Sequence, residues 1–502
     1  MGKIAVQNDK DLSDIIVMHW LAVVGFSCLI GWELLTVFAP GTLLLDFMAI
    51  EEAVVVRLIS VLTLVIAFVV LGKEGDWCFI NRNKLIIAGA CLSVPSVAVA
   101  IVGPFFAIPF FLVFAAWFLL GFGQAFLAQY WCTFFSLVPT GRTMRNIVFG
   151  GMGGTVCYGV AAGLGATWAG YSLAALLLIA AVVIAYYLMN IIPPDTIPDV
   201  SEFHSSTGVN FPAFFSIASC GAVYGFMTII ACSLGPLEAL IGGCSGIFGV
   251  LLSFVWYKLG AKVEIDIDIV QRISLPLLVA SLLLSALSEG PLRMFFICIS
   301  LAALAHNQMF NWYSISIGNK EFRMHPIRRY ARRAIPCWVG FFAGCCVAYY
   351  CAFGLHLEGT PFFFVEAVFV VVLVAAFSIY GGNQSTRREQ LNDLIDVAGQ
   401  AAVVVGSSLS AEKNTTDASS EVTSESYADH CTAVAEQYSL TPRESEVFMC
   451  LARGRNAEYI ANQLMVSPAT VKSHIYHIYQ KLGVNSQQRL MDLVEGGEPQ
   501  EP

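Results

Sequence analysis

The chain has 502 residues, is 57% hydrophobic and only 13% charged, and carries a formal net charge of -9. A soluble globular protein carries roughly 25% charged residues, so an ordinary water-soluble enzyme is excluded as a description of the whole chain. Charges are rare and clustered from Ile15 to Tyr380, and the composition turns ordinary after Gly381. One chain therefore meets two solvents, lipid and water. The fifteen Cys show no metal-ligand spacing; most lie in apolar runs, as at Cys28, Cys91 and Cys232, where a thiol acts as a small hydrophobe. No metal, cofactor or catalytic constellation is expected.

A bilayer span needs about 20 mostly apolar residues. In chain order, such segments are 15–38, 52–71, 84–102, 105–128, 146–167, 170–190, 211–232, 236–257, 273–288, 291–314, 334–353 and 361–380. The expected fold class is all-α: a polytopic helical bundle of about 12 spans over residues 1–380. The first run is long and no small-residue cleavage pattern follows it, so it is expected to stay as a span. Lys and Arg concentrate on the cytoplasmic face of a membrane protein. With an even count of spans both termini share a side, and that side holds 18 Lys and Arg, densest at Lys320, Arg323, Arg328, Arg329, Arg332 and Arg333. The other side has Arg57 and Arg293 only. Both termini are therefore expected in the cytoplasm.

Residues 191–210 carry Pro193, Pro194 and Pro198 and split the spans six and six. This 6+6 topology resembles the major facilitator superfamily, whose two halves rock about a central site. The loop after the second span, GKEGDWCFINRNK, departs from the Gly-Asp-Arg-rich motif usual there, and the central loop is acidic at Asp195, Asp199 and Glu202. Both departures weigh against active transport. The glycine-dense FGGMGGTVCYGVAAGLG over 149–165 reads first as close helix packing.

Polar groups at membrane depth are costly unless paired or wetted. Glu33, Gln124, His306, Gln308 and Glu366 are the candidate ligand-sensing residues, with Gln129, Glu238, Asn307 and Asn311 nearby in the same pattern. Either they line a central cavity, or they pair structurally or lie near the headgroups. Nothing in the sequence identifies the small-molecule signal.

After Tyr380 comes a linker, 381–437. Its first part has Leu391, Leu394 and Ile395 on one helical face; the rest is rich in Ser, Thr and Glu, too polar to bury a core. The segment 438–494 then reads as a small domain, followed by a flexible tail, 495–502. Thr441, Pro442 and Glu444 spell an N-cap, a first-turn proline and a capping box. Val447, Phe448 and Leu451 give the first helix an apolar face, and Ile460, Ala461 and Leu464 the second. Ser467-Pro468 starts a third helix with Val471, Ile475 and Ile478 inward, and a fourth runs from about Ser486 to Val494. The third exposes Thr470, Lys472, Ser473, Tyr476 and Lys481, a polar and cationic face.

LTPRESEV, LARG, IANQL and SPATVKSHIYHIYQKLGV together resemble the LuxR-type (GerE-like) helix-turn-helix of bacterial transcriptional regulators. The resemblance implies double-stranded promoter DNA as partner and a recognition helix in the major groove. It also implies Lys472 and Lys481 near phosphates or groove edges, Ser473 and Tyr476 facing bases, and a fourth helix for dimerisation. Thr470 suits a phosphate contact. Ala457 and Tyr459 stand where members often carry Asn and Glu. The segment has six Lys and Arg against four Asp and Glu, so a monomer should bind weakly and a homodimer on DNA is expected. The favoured expectation is a membrane-bound one-component regulator, with a transporter carrying an attached regulatory domain as the alternative. A terminal domain that binds only protein is disfavoured by its intact caps, core and basic face.

Overall fold

The computed structural model describes residues 2–138, 140–192, 197–203, 211–260, 267–321, 324–356 and 362–380. In the C-terminal part it describes 431, 434–435, 437–438, 440–453, 460, 468–482, 484 and 487–494. The chain divides into two compact units, Met1–Arg388 and Glu389–Pro502.

Among the described residues the regular structure of the first unit is helical. Its elements are α1 (Gly2–Val37), α2 (Ile50–Lys73), the short α3 (Gly75–Ile80), α4 (Arg82–Val102), α5 (Phe110–Leu137), α6 (Thr140–Gly163) and α7 (Trp168–Ile191). Then follow α8 (Phe211–Leu234), α9 (Pro236–Gly260), α10 (Ile267–Ala286), α11 (Gly290–Glu321), α12 (Pro326–Tyr349) and α13 (Phe362–Tyr380). Among the described residues, ten helices are long and apolar enough to cross a membrane. The two long helices outside that set are α6 and α10, which stand where the fifth and ninth apolar segments were expected. Glycines, Arg142 and Arg145 dilute α6. The apolar part of α10 runs only over Ser274–Ala286.

Several ends differ from expectation for identifiable reasons. Pro104 and Pro109 hold the stretch before α5 out of helix, so α5 starts at Phe110 and runs to Leu137, taking Gln129 inside. α12 begins at Pro326, a first-turn proline, so Arg328, Arg329, Arg332 and Arg333 ride on helix rather than in a loop. Arg57 and Arg293, counted toward the outer side, lie within helices α2 and α11, inside the segments expected to span.

Within the first half α1 packs on α6 and α7, and α5 on α2 and α4; within the second α8 packs on α12, and α11 on α9 and α10. The halves meet through α2 with α12 and α6 with α9. Two small-residue motifs set the α8–α12 approach. A Cβ on Gly221 or Gly225 would strike the carbonyls of Cys337 and Phe341; one on Gly340 or Gly344 would strike those of Ala218 and Ala222. Backbones this close gain dispersion contacts that lipid cannot replace. Gly150, Gly153 and Gly154 of α6 do the same against Phe26, Ser27 and Ile30 of α1, as the packing reading of that glycine run anticipated.

In the second unit the described helices are α14 (Pro442–Ala452), α15 (Pro468–Leu482) and α16 (Gln487–Val494). Thr441 forms the expected capping box: its Oγ1 accepts from Glu444 N–H at 3.3 Å and its N–H donates to Glu444 Oε2 at 2.8 Å. The core holds Val447, Phe448, Leu451, Ile460, Val471, Ile478, Leu482, Leu490 and Val494. Cys431 and Ala435 join it from within the stretch assigned to the linker. Most of the expected second helix, its Ala461 and Leu464, the Leu391–Ile395 face and the tail lie outside the described residues.

Candidate functional site

A cavity of about 60 Å³ lies in the membrane unit, with walls from α1, α2, α5, α11 and α12, and so from both halves. That is room for a few water molecules. Glu33, Gln124 and Gln308 line it, joined by Asn311 and Arg333. Three of the five expected membrane-site residues are thus brought together. The other two are elsewhere. His306 is buried against α9, its Nδ1 2.8 Å from Ser253 Oγ. Glu366 is fully buried; it accepts from Ser285 Oγ at 3.0 Å and faces Arg293 at 3.9 Å, whose guanidinium stacks on Phe362 at 4.4 Å.

Behind Gln124 stands a residue the sequence reading did not select. Arg57 is 1% exposed. Its Nη1 donates to Ser60 Oγ at 2.9 Å and to Gln124 Oε1 at 3.3 Å, while Gln124 Nε2 donates to Thr36 Oγ1. Nε and Nη2 of Arg57 have no hydrogen-bond partner. The signal was a lone Arg inside an apolar run; counting it toward a loop hid it. Asn307 and Gln308 donate to the thiols of Cys220 and Cys337, at 3.8 and 3.5 Å.

An aromatic chain crosses between the halves beside the cavity: Phe26 meets Trp312 at 5.3 Å, Trp312 meets Tyr330 at 5.2 Å, and Tyr330 meets Phe68 at 5.6 Å. At the same end Asp76 of α3 pairs with Arg328 at 2.7 Å and lies 3.3 Å from His325 Nε2, tying the first half to the start of α12. Phe79 and Phe203 pack on the His325 ring.

In the terminal unit, Thr470, Lys472, Ser473 and Tyr476 lie along α15, their side chains outside the description. Lys481, near the end of α15, donates to Glu444 Oε2 at 2.7 Å. Its ammonium, with the Thr441 backbone N–H, holds the Glu444 carboxyl down at about 2. Lys481 therefore has a structural role, joining α14 to α15, beside any contact with DNA.

No group of three or more His, Cys, Asp or Glu suited to a metal occurs among the described residues. Fold and motif together define a polytopic membrane protein with a transporter-like helical domain and a small helix-turn-helix domain. Residues 438–494 match the family described as bacterial regulatory proteins, luxR family. The chain is 42% identical over 60 residues to the spore germination protein GerE of Bacillus subtilis, spanning 81% of that protein and 12% of this one. Through this domain, the chain belongs to the luxR family. It is also 44% identical over 54 residues to a Mycobacterium tuberculosis protein whose name is that of an HTH-type transcriptional regulator, but it spans 6% of that protein's length. The membrane unit resembles transporters in fold. One is a bacterial homologue of the iron transporter ferroportin in an outward-facing state (TM-score 0.50, 15% identity, 73% of this chain and 98% of that one). Another is the human organic anion transporter MFSD10 (TM-score 0.53, 12% identity, 72% of this chain and 99% of that one). At such identity the likeness is one of fold.

Proposed function

We propose that this chain is a transporter-type membrane protein carrying a luxR-type DNA-binding domain, and that a small molecule in the membrane cavity governs promoter binding. The observation that carries this is a cavity walled by both halves of a transporter-like fold, in one polypeptide with a helix-turn-helix. All twelve long helices span the bilayer in this reading, with α6 and α10 shielded by their neighbours. The whole-domain likeness favours a protein that also carries its ligand across the membrane. A receptor that binds without carrying is the second reading; the clamp of Gln124 between Arg57 and Thr36 and the atypical loop after α2 favour it.

On DNA, Thr470, Lys472 and Lys481 contact phosphates, Ser473 and Tyr476 meet base edges, and the domain acts as a homodimer. The test is capture of genomic DNA on the full chain, then salt-varied titration of an enriched duplex against random duplex. Lys472→Ala should weaken both and flatten the salt dependence, whereas Tyr476→Ala should shrink the ratio between them by about 1–3 kcal/mol. Absence of any enriched sequence would sink the regulatory reading. Uptake by proteoliposomes of whatever ligand alters DNA capture separates carrier from receptor.

A further inference from the structure

The charges around the cavity do not balance. Arg333 and Glu33 line it, and Arg57 stands one side chain behind, bonded to the lining Gln124. That is two guanidinium groups against one carboxylate. Among the described residues neither Arg has a carboxylate at ion-pair distance; Arg333 has only Ser314 Oγ, at 3.4 Å. Arg57 is 1% exposed and two of its three nitrogens lack a partner. A buried guanidinium left in this way is expensive, and a desolvated cation attracts an anion far more strongly than one in water. Guanidinium also has the planar fork that matches a carboxylate.

We infer that the cavity takes an anionic ligand, with a carboxylate-type group held at Arg333 and the second positive charge supplied by Arg57. This rests on the reading that the cavity is the ligand site. Gln124 is the movable element: by releasing Arg57 Nη1 it frees a face of the guanidinium that already has two unused donors. Glu33 sets the polarity. As the one carboxylate on the lining, it disfavours an anion on its own side of the cavity, which directs the ligand's anionic end toward Arg333. The volume of about 60 Å³ suits the anionic group itself, and any larger remainder requires the helices around it to part.

The experiment uses the full chain in nanodiscs of uncharged phosphatidylcholine and reads tryptophan fluorescence, since Trp312 and Trp338 line the cavity. The probes are two matched pairs: acetate with acetamide, and benzoate with benzamide. Within at least one pair the acid should give a saturable change at a concentration about tenfold below its amide. Arg333→Gln and Arg57→Gln should weaken that acid by about tenfold or more, while Arg333→Lys, which keeps the charge, should lose less. The comparison of acid with amide on the unmodified chain stands whether or not the Arg57 variant folds. Ala128→Leu fills the cavity without touching a charge. If acid and amide act alike and Ala128→Leu abolishes both, the anion assignment fails and the cavity reading survives. If the probes act equally on Ala128→Leu, or none acts at all, both fail.

Discussion

Glu444 shows how one side chain can hold a small domain together. It closes the capping box of α14 and receives the Lys481 ammonium from α15, so a cap and an inter-helix tie share one carboxylate. Its folded value of about 2 lies below its ordinary 4.5. A depressed carboxylate stabilises the fold at pH above its unfolded value, and that contribution fades as pH falls from about 4.5 to about 2. Urea unfolding of a fragment spanning 389–502 should therefore show the midpoint dropping through that window, and Glu444→Gln should remove most of the drop. Lys481→Ala should cost about 1 kcal/mol of stability, since the pair is partly exposed. It should also lower DNA affinity, whereas Lys472→Ala should lower affinity with stability unchanged. A Lys481→Ala fragment as stable as the parent would remove the structural role. The capping box was legible in Thr441-Pro442-Arg443-Glu444, because caps are local chemistry. The Lys481 tie was not, because it joins residues 37 apart through a tertiary fold that no local pattern encodes.

Among the helices, the α8–α12 pair is the sharpest case of packing by absence of side chain. Gly221 and Gly225 on one helix, Gly340 and Gly344 on the other, each lie where a Cβ would strike the partner's backbone. Backbone cannot swing aside as a side-chain tip can, so Gly225→Leu or Gly344→Leu should lower thermal stability of the detergent-solubilised chain, by at least the ~1–3 kcal/mol typical of overpacking. Gly163→Ala, which meets nothing within 4 Å, is the control and should lose nothing; equal melting of all three would refute the tight pair. Hydropathy placed a helix in every expected apolar segment, because lipid selects composition over about 20 residues. It misplaced the start of α12 because the Arg-rich first turns are helical yet polar. It could not pair the Gly-x-x-x-Gly motifs of α8 and α12, since spacing within one helix carries no address for its partner. For the same reason Glu33, Gln124 and Gln308 were recognisable as costly polar groups, while their convergence, the separation of His306 and Glu366, and the place of Arg57 came only with the fold.

At the scale of the whole molecule, the arrangement of the membrane domain fixes which ends lie together and so sharpens the argument for topology. Asp76 reaches Arg328 and His325, joining the α2–α4 connection to the start of α12. Asn83 donates to Asn190, joining the start of α4 to the end of α7, and Asn319 donates to Ser136, joining the ends of α11 and α5. The basic clusters at 73–84 and 328–333 therefore share one end of the bundle. The two cations assigned to the opposite side are absorbed into helices, Arg57 fully buried and Arg293 against Glu366. The bias is thus purer than the loop count suggested, and by the positive-inside rule we propose that this end faces the cytoplasm. This is also what a DNA-binding domain following α13 requires. The prediction is that alkaline phosphatase fused after Pro502 stays inactive in a bacterial host while a cytoplasmic reporter at the same place is active. The same pair inserted between α10 and α11, at Ser288, should give the reverse. Asp76→Asn, by loosening the tie at the cytoplasmic end, should raise labelling of cavity-lining Cys337 by a water-soluble maleimide in inside-out vesicles, read by peptide mass. Active phosphatase after Pro502 would place the helix-turn-helix away from the chromosome and overturn topology and regulatory function together.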